Sequence, residues 1–280
     1  MMAGRDTRPK PAFGRVVGIH PHAYTLEEVM ISDEQLMERM RCKLRPSTIE
    51  GLHIERFTVD YTETVDLLRS LAHYAGRAPQ PGDYIRLVED VEPVEGDKDL
   101  HDGRRLWMSD TDAELFDHLE AARRMADPNC ESVLIHGLGL GCVVNVALTL
   151  DNVERVDVVE KDWRVIRLVG SQLSDPKLHI HNGDAYTFEW VAGEHWDVVW
   201  HDIWPDISTR NLVGMHNLYK RFQERSGWQG FWARDLAVHQ WLTEARMFKQ
   251  IKKQYGEIPP GLKKVYEEHR AEGKYAKLSY

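Results

Sequence analysis

A glycine-rich turn between a buried strand and a helix constrains the fold of this 280-residue chain more than any other feature. The segment reads VLIHGLGLG over residues 133–141, so Gly137, Gly139 and Gly141 follow a short apolar run. Glycine allows a tight turn and close approach to a ligand, and the N–H groups of the following helix can bind a polar or anionic group. The turn alone is weak evidence, because the dinucleotide pattern G-x-G-x-x-G needs glycine where Cys142 stands.

Beyond residue 109, short apolar segments alternate with amphipathic ones. Strands that alternate with helices are typical of a parallel sheet covered on both faces. We therefore predict an α/β fold with a doubly wound, mostly parallel sheet. The predicted strands are 132–136, 155–160, 178–181, 196–200 and 229–233, and the predicted helices are 110–126, 141–150, 162–173, 211–225 and 236–254.

The N-terminal third has a different sequence pattern. Amphipathic patterns that begin at Ser32 and cover 62–74 predict helices, and short alternating runs at 84–88 and 105–108 predict strands. We read it as a small α+β accessory domain. The predicted organisation is a flexible arm at 1–15, the accessory domain at 16–108, a ligand-binding domain at 109–245 and a basic helical tail at 246–280.

Charge is unevenly distributed along the chain. The total is −9, but residues 246–280 carry +5, which leaves −14 on the remainder. An acidic body argues against broad contact with a phosphate backbone, so we expect a small-molecule substrate rather than nucleic acid. The tail is more simply a solvated amphipathic helix than a nucleic-acid contact.

The apolar runs, the cysteines and the histidines of the sequence indicate where the protein is located and whether it binds a metal. No run approaches the ~18 uncharged apolar residues of a membrane span, and residues 1–10 lack the apolar core of a secretory signal. Three cysteines, Cys42, Cys130 and Cys142, are too few for a disulfide framework or a zinc knuckle. We therefore expect a cytoplasmic protein without a bound metal; the pairs at 20/22 and 179/181 are histidines but supply only two ligands each.

Acidic residues end three of the predicted strands. Glu160 ends the second strand and is placed to accept hydrogen bonds from ribose hydroxyls. Asp184 and the small Ala185 follow the third, where an adenine amino group could donate, and Asp202 follows the fourth. Each acid alone is more often a turn or cap residue, but open α/β sheets bind ligands at the carboxyl ends of their strands. Together with the glycine turn they predict one ligand site.

With these residues in place, the chain resembles the class I S-adenosylmethionine-dependent methyltransferase superfamily, most closely its spermidine synthase-like branch. The resemblance covers roughly residues 100–235, and the D-G pair at 102–103 followed by a short helix also fits that branch. It implies a Rossmann-like sheet and S-adenosylmethionine as cofactor. The residues it assigns to cofactor binding are Gly137, Leu138, Gly139, Gly141, Glu160, Lys161, Asp184, Ala185 and Asp202.

Three positions depart from the aminopropyltransferases of that branch. Leu106 and Leu140 stand where the family places a Gln and an Asp that handle amino groups, and Pro205 replaces the second Asp of a D-x-x-D pattern. An apolar loop cannot neutralise an ammonium group. Methyl transfer to a small or amine-bearing substrate is therefore favoured over aminopropyl transfer, another enzyme using the same cofactor such as a lyase, or a non-catalytic relative.

Methyl transfer from a sulfonium mainly requires in-line positioning of donor and acceptor. We expect Asp202 to orient or deprotonate the acceptor, with His201 or Asp206 as substitutes. His201 could equally point into the sheet, because it precedes Asp202 on a strand. Trp107 and Trp204 are expected near the substrate cleft from their motif positions. The D-I-W-P run at 202–205 only loosely resembles the D-P-P-Y motif of enzymes that methylate amino groups of bases.

The C-terminal part lacks the last two strands of a complete class I sheet. After residue 233 the sequence is helical and then polar and basic. An open sheet edge exposes unpaired backbone groups and favours a partner chain or a covering helix. Either the sheet is shortened or an N-terminal segment completes it, and we expect a homo-oligomer or a domain-swapped arm.

Overall fold

The structure is a computed structural model that describes residues 31–61, 79–92, 100–101 and 103–278, with only the backbone at 100–101. Residues Ile31–Tyr280 form one compact unit that holds two five-stranded sheets. The predicted arm at 1–15 and the helix predicted over 62–74 lie outside the described residues. The domain boundary at 108/109 stays a prediction.

The first helix begins where the sequence predicts. Ser32 Oγ accepts the N–H of Gln35, and Gln35 Oε1 accepts the N–H of Ser32, which is a reciprocal capping box. The helix buries Leu36 and Met40 against the core. An antiparallel sheet of order β1-β2-β3-β5-β4 follows. These elements are α1 (Asp33–Met40), β1 (Ser47–Ile49), β2 (Leu52–Val59), β3 (Gly82–Asp90), β4 (Leu100–His101) and β5 (Arg104–Ser109).

The second sheet is entirely parallel among the described residues, with the order β10-β9-β6-β7-β8. Its central strands are continuous apolar runs because helices cover both faces; Val133, Leu134 and Ile135 are at most 1% exposed. The predicted α/β fold is confirmed. The strands are β6 (Ser132–His136), β7 (Arg155–Glu160), β8 (Leu178–Asn182), β9 (Trp196–His201) and β10 (Ser226–Phe231).

The helix predicted over 110–126 is interrupted, which corrects that boundary. The carboxylate of Asp110 accepts the N–H groups of Cys42 and Ile85, so the chain is still held to its neighbours there and helix begins later. A 3₁₀ turn at Phe116–His118 then separates two short helices. The helices are α2 (Asp112–Leu115), α3 (Leu119–Met125), α4 (Cys142–Thr149), α5 (Trp163–Leu168), α6 (Asn211–Phe222), α7 (Arg234–Tyr255) and α8 (Lys263–Ala276).

Two helices close the described part of the chain after β10. The indole of Trp241 in α7 stacks on the His269 ring of α8 with a centroid separation of 4.9 Å, and its Nε1 donates to the His269 carbonyl. In the described residues the parallel sheet therefore has five strands, with β10 at one edge. Across those same residues, no helix has the length and apolar character needed to cross a membrane.

Candidate functional site

Strand order brings the predicted ligand-binding residues to one edge of the parallel sheet. The glycine turn (residues 137–141, called the glycine loop below) follows β6, and Glu160 ends β7. Asp184 follows β8, and Asp202 follows β9. The four strands are neighbours in the order β9-β6-β7-β8, and parallel strands share their carboxyl edge. The acids and the loop therefore lie together at this edge, the candidate site, where open α/β sheets bind ligands.

Each glycine of the glycine loop has a positive φ and a close neighbour. A Cβ on Gly137 would lie 1.9 Å from the carbonyl oxygen of Asp202, because the loop crosses directly beside the end of β9. A Cβ on Gly139 would lie 2.3 Å from Met108 Sδ, which accepts the N–H of Leu140 at 3.1 Å. Gly141 takes a left-handed conformation and begins α4. At Gly137 a side chain is thus excluded by the backbone of Asp202.

Glu160 ties the glycine loop to β7. Its Oε2 accepts the N–H of Leu138 at 2.8 Å, and its Oε1 accepts the N–H of Asp162 at 2.7 Å. Burial raises the pKa of Glu160, partly offset by these backbone donors. Each carboxylate oxygen can accept further hydrogen bonds. Glu160 can therefore hold the loop and still receive hydroxyl donors from a ligand.

Asp184 lies on the next strand end with its side chain about a third exposed, at 32%. It accepts hydrogen bonds from Lys161 Nζ at 2.9 Å and from the N–H of Tyr186 at 2.9 Å. The Lys161 hydrogen bond, followed by the backbone donor, lowers the pKa of Asp184. Ala185 beside it is buried. Lys161, at 78% exposed, reaches Asp184 rather than the glycine loop.

Asp202 lies beside the glycine loop, because the loop passes over the end of β9. Its N–H donates to the carbonyl of His136 at 2.8 Å, and its side chain is 21% exposed. The protein surrounding the carboxyl raises the pKa of Asp202 to about 7, and the negative charges of Asp117 and Glu160 add to that effect. A group with a pKa near neutrality is suited to proton transfer.

Three residues that the sequence analysis did not single out border Asp202. His118 is 2% exposed, and its Nε2 lies 3.9 Å from Asp202 Oδ2. Burial lowers the pKa of His118 to about 4, so its ring is neutral. Burial raises the pKa of Glu114 to about 8, with Asp117 and Asp202 adding to the shift. The i, i+3, i+4 spacing of Glu114, Asp117 and His118 is the sequence signal that could have revealed them.

The other two predicted catalytic residues have opposite surroundings. His201 is fully buried, with its Nδ1 2.8 Å from His136 Nδ1, and its ring stacks on Phe231. Asp206 is exposed on the segment after β9, where its carbonyl accepts from the side chain of Asn211. His201 thus points into the core, the second of the two orientations that the sequence left open, and Asp206 lies at the surface.

The two predicted cleft tryptophans border different elements. Trp107 donates from Nε1 to Glu89 at 3.1 Å, and the guanidinium of Arg164 lies over its ring. The next residue in the chain, Met108, contacts the glycine loop. Trp204 follows Asp202 in the chain and packs against Phe231 with ring centroids 6.3 Å apart.

The residues at this edge could hold an adenosyl group on one side of the candidate site. Glu160 has free acceptor capacity for ribose hydroxyls, and Asp184 beside the small Ala185 can accept from an amino group. On the other side the Met108 side chain packs on Gly139. Methionine is unbranched and adaptable, so it can yield to a methionyl group. Among the described residues there is no cluster of three or more His, Cys, Asp or Glu side chains suited to a metal ion.

No family model matches this chain. A polyamine aminopropyltransferase of Lachnospira eligens is 31% identical over 110 residues, which span 35% of this chain and 38% of that protein. The chain is thus matched to about two fifths of the length of this curated relative.

Several solved structures are similar over part of the chain. An amino pentose methyltransferase from Micromonospora echinaspora, solved with S-adenosylmethionine bound, is 20% identical, with a TM-score of 0.32 over 40% of this chain and 45% of that one. A putative caffeoyl-CoA O-methyltransferase from Staphylococcus aureus is 14% identical, with a TM-score of 0.33 over 59% and 62%. Each of these matches covers only part of the two chains compared.

Proposed function

We propose that this chain is an S-adenosylmethionine-dependent methyltransferase that acts on a small or amine-bearing substrate. The observation that carries the proposal is the meeting of the glycine loop, Glu160, Asp184 and Asp202 at one sheet edge. Glu160 would hold the ribose, Asp184 the adenine, and Gly137 to Gly139 the methionyl end. The bound cofactor supplies an already activated methyl group.

Asp202 is the acceptor-side residue in this proposal. Its carboxyl lies beside the glycine loop, and Asp117 and Glu160 contribute negative charge next to it. Such a cluster favours a cationic or amine acceptor by simple attraction. With a pKa of about 7, Asp202 can take a proton from the amine as the methyl group is transferred. Its neighbour His118 is neutral, and so leaves this negative potential intact.

Aminopropyl transfer is the second candidate, favoured by the aminopropyltransferase relative at 31% identity. Two positions weigh against it. Leu140 is fully buried in the core. Leu106 lies on β5 and has an apolar side chain. Neither side chain can bind an ammonium group. We therefore rank it below methyl transfer.

Two further proposals accompany the enzyme. Three free cysteines, Cys42, Cys130 and Cys142, support a reducing, cytoplasmic location. The edge strand β10 supports a homo-oligomer, because an open edge can pair with another chain.

The test is calorimetric titration with S-adenosylmethionine, decarboxylated S-adenosylmethionine, S-adenosylhomocysteine and NAD. We expect the first and third to bind, and Glu160→Ala and Asp184→Ala each to weaken binding by about 1–3 kcal/mol, the cost of losing a hydrogen-bond partner. The exposed Asp206→Ala serves as the control and should bind normally. Preference for the decarboxylated compound would shift the function to aminopropyl transfer, and no binding by any of the four would leave a non-catalytic relative.

A further inference from the structure

Two cysteines 100 positions apart in the chain meet directly beneath the glycine loop. The sulfur atoms of Cys42 and Cys142 lie 3.3 Å apart, and both side chains are buried, at 8% and 2% exposed. Cys142 is the first residue of α4 and directly follows Gly141. Cys42 Sγ also donates to the carbonyl of Leu140 at 3.2 Å, so Cys142 is left as the donor between the two sulfurs.

We propose that Cys42 and Cys142 form an oxidative modification site, in which a peroxide joins them as a disulfide and thereby alters the glycine loop. The proposal rests on the contact between the sulfurs and on the bond to Leu140, and it does not depend on which ligand the cleft binds.

The chemistry balances with a peroxide as the oxidant. Cys42 is the more accessible thiol, so its sulfur attacks the peroxide, the O–O bond breaks, and a sulfenic acid and one water form. The sulfur of Cys142 then attacks the Cys42 sulfur, the S–S bond forms, and a second water leaves. Two thiols are oxidised and one peroxide is reduced to two waters. A dithiol reductant reverses the reaction by exchange.

The product must differ from the reduced protein at the glycine loop. A disulfide holds its sulfurs about 2.05 Å apart, so the two atoms must approach by about 1.2 Å. Cys42 is restrained because its N–H donates to Asp110, a buried carboxylate that also binds Ile85. The Cys142 side is therefore the one that moves. Oxidation also removes the S–H that donates to the Leu140 carbonyl.

Burial governs how fast the site reacts. The hydrogen bond between Cys142 and Cys42, together with burial, raises the pKa of the Cys142 thiol. The Cys142 thiolate, the reactive form for the step that closes the disulfide, is therefore scarce. We therefore expect slow oxidation, over minutes to hours, at low millimolar peroxide. The third thiol, Cys130, is buried elsewhere, just before β6, and its pKa is raised to about 12 by burial and by Asp197 and Asp127. It provides an internal control.

The experiment oxidises the full chain with hydrogen peroxide, maps the cysteines by mass spectrometry and measures hydrogen exchange of the loop amides. We expect a loss of two hydrogens, a peptide cross-linked through Cys42 and Cys142, and Cys130 still a free thiol. Exchange at the amides of 138–141 should accelerate at least about tenfold and return to its starting value with dithiothreitol. Binding of S-adenosylhomocysteine should weaken at least about tenfold in the same samples.

Matched variants separate the possible causes. Cys42→Ser keeps a hydroxyl donor for Leu140 and should show no response to peroxide, while Cys130→Ala should respond like the unaltered protein. A disulfide that involves Cys130, oxidation without cross-linking, or a Cys42–Cys142 disulfide with unchanged exchange would each overturn the proposal. If the reduced protein fails to bind S-adenosylhomocysteine, the proposed function fails, and cysteine mapping and hydrogen exchange still decide this one.

Discussion

The imidazoles of His136 and His201 share a hydrogen bond of 2.8 Å between their Nδ1 atoms, at the ends of adjacent strands and one residue before Gly137 and Asp202. Gln229 fixes the tautomers. Its Nε2 donates to the Tyr219 carbonyl, so its Oε1 faces His201 Nε2, which must carry a proton. His201 Nδ1 therefore accepts and His136 Nδ1 donates. Both rings are neutral and fully buried.

This pair predicts a loss of stability in acid. Burial lowers the pKa of His201 to about 3 and that of His136 well below its usual value of 6.5. Because the unfolded chain binds these protons first, the contribution of the two histidines to the free energy of unfolding is constant above about pH 6.5. Below that pH the contribution falls by about 1.4 kcal/mol per pH unit for each buried histidine.

Urea unfolding between pH 6.5 and 5 measures the effect. His201→Asn should reduce the pH slope of the unfolding free energy by about 1.4 kcal/mol per unit relative to the unaltered chain. His195→Asn, at an exposed position, is the control and should leave the slope unchanged. An equal slope in all three proteins would mean that His201 is protonated in the folded state.

Glu114 predicts the opposite dependence at higher pH. Its pKa is raised to about 8, mainly by burial. The folded protein therefore retains a proton that the unfolded chain releases near pH 4.5, and stability declines as the pH rises from there to about 8. The decline is at most about 1.4 kcal/mol per unit, reduced by whatever solvent reaches the carboxyl.

Glu114→Gln removes the titrating group and keeps an acceptor for Ser109, whose N–H donates to the carboxylate at 2.6 Å. We expect the variant to gain stability relative to the unaltered protein between pH 6 and 8, measured by urea unfolding at both values. Glu120→Gln, with the side chain 62% exposed, is the control and should change little. A relative gain that shrinks toward pH 8 would contradict the raised pKa.

The sequence correctly predicted which residues meet at the carboxyl edge of the parallel sheet, because local patterns determine the ends of the strands. The apolar run 133–135 followed by Gly137 marks a strand-to-helix turn, and the acids Glu160 and Asp202 end their strands in the same way. Parallel pairing then brings strand ends together without further information. The features that the sequence did not predict depend on contacts between segments that are distant in the chain.

Contacts between distant segments were beyond local patterns. The Asp110 side chain accepts the backbone N–H groups of Cys42 and Ile85. The helix predicted from residue 110 therefore begins only at Asp112. The approach of Cys42 to Cys142, and of His118 to Asp202, likewise requires the folded arrangement. No periodicity along the chain reports on such pairs.

Asp202 predicts the pH dependence of turnover under the proposed function. With a pKa of about 7, its ionised, proton-accepting form is depleted below neutrality. Turnover should therefore fall about tenfold per unit below pH 7 and level off above it. Release of S-adenosylhomocysteine during an acceptor screen supplies the measurement.

Substitution separates the role of Asp202 from cofactor binding. Asp202→Asn should reduce turnover by about 10²–10⁴-fold, the usual contribution of a positioned general base, with S-adenosylhomocysteine affinity within about twofold. Asp206→Asn, on the exposed segment, is the control and should keep full turnover. Full turnover in Asp202→Asn would remove the assignment.

Gly137 predicts a large and specific cost of adding one methyl group. A Cβ there would lie 1.9 Å from the carbonyl oxygen of Asp202 and 3.0 Å from its carbonyl carbon, at a φ of 92°. Backbone atoms cannot rotate away as a side chain can. Gly193 has a similar φ of 86° and nothing within 4 Å of the same added atom. The two positions therefore share the conformational cost and differ in the contact.

Thermal or urea unfolding of the two alanine variants measures the difference. Gly193→Ala should cost about 1–2 kcal/mol, the usual penalty for a left-handed conformation. Gly137→Ala should cost about 1–3 kcal/mol more, because the end of β9 must move to relieve the overlap. Asp202 would move with that end, so ligand binding should weaken in Gly137→Ala and not in Gly193→Ala. Equal costs would mean that the glycine loop does not pack on β9 as closely as 1.9 Å implies.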